Sequence, residues 1–289
     1  MLRLRGQPRN APSPAPHFHS GFAWEGARTG PWSVMLAFPF SLKRFMRTIR
    51  IHVDQPLTVG GELALPPQAG EHVARVLRMV AGDAITLFNG DGSDYPSAIA
   101  AVGKREVTVQ VRASQVLDNE SPLRLTLAQG VARGEKMDLI VQKATELGVA
   151  RIVPLLTERS EVKLDASRAE KRLAHWRAVA ASACEQCGRA RVPEVVPAIA
   201  LDAWLRELTS DDTLRLALLP EGTEQPGALR FTPAGGVLVV GPEGGLGSRD
   251  VTSLADAGFH GLRLGPRILR TETAGLAALA ALQALHGDL

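Results

Sequence analysis

Gly241-Pro242-Glu243-Gly244-Gly245-Leu246-Gly247-Ser248 follows an apolar run, Val237 to Val240. Such a run bounded by glycines reads as a buried strand. Beyond it, Ser248 is placed to cap a helix through Val251, Leu254 and Ala255. The stretch is therefore a glycine-rich loop at a strand end, where open α/β sheets bind ligands. A second unusual loop lies one helix further on, Leu264-Gly265-Pro266-Arg267-Ile268-Leu269-Arg270-Thr271-Glu272-Thr273-Ala274. Two such loops so close together predict one site built from both.

Outward from these loops the pattern alternates. Strands are expected at Leu123–Ala128, Ala150–Leu156, Leu214–Leu219, Val237–Val240 and Gly261–Leu264. Helices are expected at Glu135–Leu147, Asp165–Cys187, Ala200–Leu208, Ser248–Ala257 and Thr273–Leu285, with Gly148 as a C-terminal stop for the first. Strands alternating with helices predict an α/β fold with a mostly parallel sheet. The last helix carries Leu276, Leu279, Leu282 and Leu285 among alanines, so it is expected to be buried on several sides. At a chain end, a subunit interface is the economical way to do that.

Asp118–Pro122 reads as a linker, and residues 47–120 ahead of it as strand-rich. Thr48–Val53, Ala84–Phe88, Ser97–Val102 and Glu106–Arg112 are the expected strands, with Asn89-Gly90 and Asp91-Gly92 as turns. One helix is expected at Glu71–Met79, with His72, Val73, Val76 and Leu77 on one face. Arg75 and Arg78 share another face, either solvated or in contact with phosphate. Together these make a small β-barrel with one helix.

Residues 1–45 are rich in Pro, Gly, Ala and Arg without a sustained period, and read as a disordered extension. They hold six basic residues (Arg3, Arg5, Arg9, Arg28, Lys43, Arg44) against one acid, Glu25. The overall charge of +3 therefore comes from this segment, and net charge gives no support for RNA binding by the rest. A targeting peptide and a start at Met46 are alternative readings of the segment. No apolar run approaches the ~18 residues that span a bilayer, so no membrane is expected. Two cysteines give no disulfide framework, which fits a reducing, cytoplasmic setting.

The motifs exclude several chemistries. No Gly-Lys-Ser/Thr follows the first loop, so it is not a P-loop, and it lacks the third glycine of a dinucleotide fingerprint. Glu243 opposes phosphate at that spot, and Glu272 adds an acid beside the other loop; a purine and a positively charged sulfonium suit such a pair. Cys184-Glu185-Gln186-Cys187 has no second ligand pair for zinc, and the seven histidines are scattered, so no metal is expected. Glu185, Gln186 and Arg189 either face a site or form a wet helix face. Lys143 and Glu146, three apart, are consistent with an intrahelical ion pair. Arg133 and Lys136 lie near a strand end, where they can hold a phosphate.

The two loops resemble the cofactor loops of SPOUT methyltransferases. Arg133-Gly134-Glu135-Lys136-Met137, Gln142-Lys143-Ala144-Thr145-Glu146-Leu147-Gly148-Val149 and Cys184-Glu185-Gln186-Cys187-Gly188-Arg189 resemble the branch that methylates N3 of a uridine in 16S ribosomal RNA. The resemblance runs from about Met46 to the C-terminus. It implies a PUA-like RNA-binding β-barrel at 46–118 and, at 119–289, an α/β SPOUT domain with a deep trefoil knot. It implies S-adenosylmethionine as cofactor, 16S rRNA or the small ribosomal subunit as partner, and a homodimer through the last helix. The cofactor residues it implies are Leu219, Gly241, Pro242, Glu243, Gly244, Gly245, Leu264, Gly265, Leu269 and Thr271. Arg270, Glu272, Arg133 and Glu146 are the candidates for handling the uracil proton or its anion. A related ribose 2′-hydroxyl methyltransferase and a non-catalytic RNA-binding assembly factor are the alternatives.

Overall fold

In the computed structural model, residues 49–104, 106–161 and 166–289 are described; the expectations for residues 1–45 lie outside them. Ahead of the Asp118–Pro122 linker come β1 (Arg50–His52), β2 (Glu62–Ala64), α1 (Pro67–Glu71), β3 (Ala84–Phe88), β4 (Ser93–Val102), β5 (Val107–Val111) and β6 (Gln115–Val116). The sheet order is β1-β3-β4-β5-β2, antiparallel except for β1 on β3, with β6 on β4. Both edge strands feed the core shared by Val73, Ile85, Leu87, Ile99 and Val109, so the sheet wraps one interior.

The helix of this part departs from expectation. It begins at Pro67, whose fixed φ suits a first helical position. It then widens into a π turn, His72–Val76, closed by Leu77 N–H donating to the His72 carbonyl at 3.0 Å. Arg78, at φ 53°, ends it. Val73 is buried, but Val76 is 66% exposed, so the expected common face does not form. Arg75 instead pairs with Glu71 at 2.6 Å in solvent.

Beyond the linker come β7 (Leu125–Gly130), α2 (Glu135–Glu146), β8 (Arg151–Leu156), α3 (Ala166–Cys187), β9 (Glu194–Val195), β10 (Ile199–Ala200), α4 (Leu201–Glu207), β11 (Leu214–Leu218), β12 (Gly236–Val240), α5 (Ser248–Asp256), β13 (His260–Leu262) and α6 (Thr271–His286). The sheet runs β10-β8-β7-β12-β11-β13, with β9 on β8, and every pairing is parallel. Alternation along β12 sends Leu238 and Val240 to a core shared with α2, α3 and α6. Val237 and Val239 go to a second core with Leu201, Trp204 and Leu254. A sheet buried on both faces explains why its strands read as continuous apolar runs.

Local chemistry sets the helix ends. Met137, Ile140, Val141 and Ala144 give α2 its buried stripe. Gly134 (φ 56°) opens α2 and Gly148 (φ 80°) closes it. Ser248 is not the cap of α5 but its first residue. Gly247 takes the cap position, and its N–H donates to Asp250 Oδ2 at 2.9 Å. The carboxylate reaching back from the first turn makes the other half of a capping box, accepting the N–H of the cap residue itself, which a glycine cap still offers.

The end of α3 clasps the barrel. Arg189, almost fully buried, donates to both Glu120 oxygens (3.1 and 2.6 Å) and to the Thr145 and Val149 carbonyls (2.8 and 3.0 Å). Arg50 pairs with Asp94 and donates to the Arg189 carbonyl at 3.0 Å. Glu185 accepts from His52 N–H at 3.0 Å. Glu185 and Arg189 thus hold two sheets together rather than facing a ligand or water.

Candidate functional site

All strands of the parallel sheet point their carboxyl ends the same way, so the loops after β7, β8, β11, β12 and β13 gather on one edge. There the two glycine-rich loops meet. Thr271, the first residue of α6, donates its hydroxyl to the Gly241 carbonyl at 2.6 Å. Between the loops lies a cleft of about 700 Å³, within the usual size of small-molecule sites. Its lining includes Leu219, Gly241, Glu243, Leu269, Arg270 and Glu272. An adjoining apolar hollow is lined by Leu218, Leu219, Leu264, Gly265 and Leu269.

Close approach dictates glycine at the first loop. A Cβ on Gly241 would lie 2.8 Å from backbone atoms of Gly245 and Leu246, and one on Gly247 would strike the Glu158 carboxylate. Gly245, at φ 70°, closes a turn by donating to the Pro242 carbonyl at 2.9 Å. The loop after β8 braces this turn: Arg159 donates to the Gly244 carbonyl (3.0 Å), and Asp250 accepts from Glu158 N–H (3.1 Å). These contacts leave the loop one backbone path.

The cleft holds two carboxylates around one cation. Lys136 Nζ lies 3.1 Å from Glu243 and 3.9 Å from Glu272. Burial raises the Glu243 pKa, but hydrogen bonds from the N–H groups of Arg133 and Glu243 itself, and from Lys136, outweigh it and hold the carboxyl below its ordinary value. Glu272 Oε2 is buried and accepts no hydrogen bond among the described residues. A buried carboxylate oxygen that accepts no hydrogen bond, with its nearest cation at 3.9 Å, is costly and suits a positively charged ligand group.

The expected cofactor residues fall together: Pro242, Gly244, Gly245 and Thr271 also line the cleft, and Leu264 and Gly265 its hollow. Of the four proton-handling candidates, Arg270 and Glu272 line the cleft. Arg133 sits at its rim, giving its N–H to Glu243 (3.0 Å) and its guanidinium to Glu161. Glu146 does not join them within this chain. It closes α2, about 15 Å from Lys136 at ~1.5 Å per residue, and accepts from Lys143 at 2.8 Å. Lys136 lines the cleft and Gln129 lies behind it, although neither is among the expected cofactor or proton-handling residues. Gln129 is fully buried at the end of β7 and bonded to Thr271 at 2.9 Å. A glutamine ending an apolar strand just before Arg133-Gly134 is the available signal.

Residues 119–283 match the family model of the RNA methyltransferase domain, and residues 65–112 that of the RNA methyltransferase PUA domain. The chain is 31% identical over 247 residues to "Ribosomal RNA small subunit methyltransferase E" of Buchnera aphidicola, covering 84% of this chain and 98% of that protein. It is 34% identical over 229 residues to the Bacillus subtilis protein of the same name, covering 75% and 89%. Among solved structures, the Neisseria gonorrhoeae protein of that name bound to S-adenosyl methionine aligns with a TM-score of 0.77 and 39% identity, covering 84% and 99%. A Legionella pneumophila structure in complex with SAM aligns with a TM-score of 0.81 and 42% identity, covering 84% and 100%.

Proposed function

The chain belongs to the RNA methyltransferase family, among the ribosomal RNA small subunit methyltransferases E, and from that premise we propose that it methylates N3 of a specific uridine in 16S ribosomal RNA with S-adenosylmethionine. The observation that carries this reading is the buried oxygen of Glu272, which accepts no hydrogen bond among the described residues and has Lys136 only at 3.9 Å, in a cleft framed by two glycine loops. A cleft of that size, in which Glu243 and Glu272 stand beside exposed backbone groups of the glycine loops, fits a sulfonium cofactor. Backbone atoms of Leu219, Gly241, Leu264 and Leu269 would hold its adenosyl part, with Glu243 and Thr271 beside them. Bound there, S-adenosylmethionine supplies an electrophilic methyl group.

The chain's own residues then align the uracil and remove its proton. The N3 proton has a pKa of about 9–10, near that of tyrosine, so a base or a nearby cation is needed. Glu272 is the base in this reading. Arg270, which lines the same cleft, steadies the uridine anion. Arg133 serves as a second cation at the rim. Orientation of the two reactants supplies much of the remaining acceleration.

The same reading assigns 46–118 to an RNA-binding PUA-like barrel and 119–289 to the methyltransferase domain, with the two glycine-rich loops, 241–248 and 264–274, as parts of a trefoil knot. It makes the protein a cytoplasmic homodimer. Leu279 and Leu282 of α6 are buried in the chain's own core, which leaves Leu285, 54% exposed, as the leucine of that helix for a partner to cover. No helix among the described residues is long and apolar enough to cross a membrane. Mass spectrometry of rRNA nucleosides from cells with and without the protein tests the reaction. Loss of 3-methyluridine is the expected result; loss of a 2′-O-methyl nucleoside, or no change, would refute it.

A further inference from the structure

We infer that Gln129 is a positioning residue for methyl transfer: its carboxamide ties both glycine-rich segments to the central strand and so fixes the first turn of α6, which carries Arg270 and Glu272. The inference rests on the cleft being the S-adenosylmethionine site.

Gln129 is fully out of water, next to Ala128 and Gly130 in a strand whose other polar residue is Thr126. Its Nε2 donates to the Gly130 carbonyl and to Thr271 Oγ1, both at 2.9 Å, with the Gly241 carbonyl at 3.4 Å. Thr271 passes the chain on by donating to the same Gly241 carbonyl. Carbonyls only accept, so the carboxamide has one workable orientation; reversed, its oxygen would face two carbonyl oxygens. In that orientation Oε1 is buried with no hydrogen-bond partner among the described residues. Leucine or methionine would fill the same space without an unbonded Oε1, but would remove the donor to the Gly130 carbonyl and Thr271. A stranded acceptor inside an apolar core calls for an explanation, and the position of Gln129 between the two glycine-rich segments supplies one.

The surroundings are shaped for this contact. A Cβ on Gly130 would lie 2.5 Å from Pro242, and one on Gly275 would lie 3.4 Å from Gln129 Oε1. Strand β7, the first loop and α6 therefore meet at backbone distance, and the carboxamide bridges all three. Loss of the bridge frees the start of α6 to shift relative to Gly241, which misplaces cofactor and base together. A misplacement near 1 Å is worth about a hundredfold in rate.

The test uses the full chain, calorimetry with S-adenosylmethionine, and steady-state methylation of small ribosomal subunits. Gln129→Met, close in volume, is expected to weaken cofactor binding and lower kcat, each about tenfold or more, with KM for the subunit unchanged. Gln129→Glu donates one hydrogen when protonated and none when ionised. Its cofactor affinity is therefore expected to fall as pH rises, over a range where the wild type is flat. Combined with Thr271→Val, the losses are expected to be less than multiplicative, because both remove one bridge. A role in bulk packing alone predicts lower stability in urea unfolding, with the cofactor affinity and kcat of the folded Gln129→Met protein unchanged. Binding and turnover of the Gln129→Met variant within twofold of wild type would overturn the inference while the cofactor reading stands. So would a pH-independent Gln129→Glu together with independent losses in the double variant. Wild-type protein that fails to bind S-adenosylmethionine would overturn both. Should Gln129→Met not fold, the pH dependence of Gln129→Glu and the Thr271→Val cycle decide alone.

Discussion

Two clusters of charge on this chain are treated in opposite ways. At the clasp, Arg189 is almost fully buried and meets four acceptors. At the cleft, Glu272 is also largely out of water, with 16% of its side chain exposed, yet one oxygen meets no donor and the nearest cation is 3.9 Å away. A buried charge with all its bonds made serves the fold, because breaking it strands its partners. A buried charge left short serves a ligand, because the missing partner arrives from outside. The contrast holds for Arg189 and Glu272 themselves; within the clasp Arg50 Nε and Asp94 Oδ1 are also buried without a hydrogen bond among the described residues, so a missing partner points to a ligand only where a cleft adjoins it.

The largest effect is expected at the clasp. Arg189→Met strands the Glu120 carboxylate and the Thr145 and Val149 carbonyls, and is expected to cost about 3–5 kcal/mol of stability in urea unfolding. Cofactor affinity of the protein that remains folded should stay within about twofold, since no clasp contact touches the cleft. A comparable loss of affinity would break the comparison.

Gly241→Ala reverses the pattern. The added Cβ meets backbone atoms at 2.8 Å, which cannot turn aside as a side chain could. The loop must open, at a cost of about 1–3 kcal/mol in stability and about a hundredfold in kcat/KM. A variant with normal kcat/KM would mean that this turn does not shape the site.

These expectations rest on features that differ in how visible they are along the chain. Strand β3 and the buried stripe of α2 are readable because their periods are local, and the glycine loops because their composition is unusual. The face predicted for His72, Val73, Val76 and Leu77 fails because a π turn changes the period midway and the stretch ends at a left-handed arginine. Ser248 has the chemistry of a cap, but Asp250 reaches Gly247 in its place. The roles of Gln129 and Arg189 depend on partners up to 142 and 69 residues away. No window of sequence contains such a pair, and a lone glutamine or arginine carries no period. Glu146 groups with the site through its motif, whereas twelve residues of helix carry it away from the cleft.

Glu272→Gln tests the sign of the comparison. Removing an under-paired charge should leave stability unchanged or raise it by about 1 kcal/mol, while kcat falls about a hundredfold or more if the carboxylate is the base. Loss of stability on the scale of Arg189→Met would mean that Glu272 is a structural group. Unchanged kcat would remove it as the base.

The smallest effect is expected from Glu243, which lies between the two extremes: it has partners but sits at the rim. Burial works against its charge, yet the N–H groups of Arg133 and Glu243 and the ammonium of Lys136 prevail, so its folded pKa lies below the ordinary 4.5. A depressed carboxylate adds stability that is fully present above the unfolded pKa and is lost as pH falls through the folded one. The loss therefore sets in around the ordinary 4.5 and is complete only below the folded value. Solvent screening at the rim limits the gain to a few tenths of a kcal/mol. Lys136→Met should flatten part of this acid limb in pH-dependent unfolding and leave the limb set by other carboxylates. The backbone donors would stay in place, so the flattening should be partial. A complete loss of the limb would place Glu243 under the control of Lys136 alone, and no change would make the ion pair at 3.1 Å a contact without energetic weight.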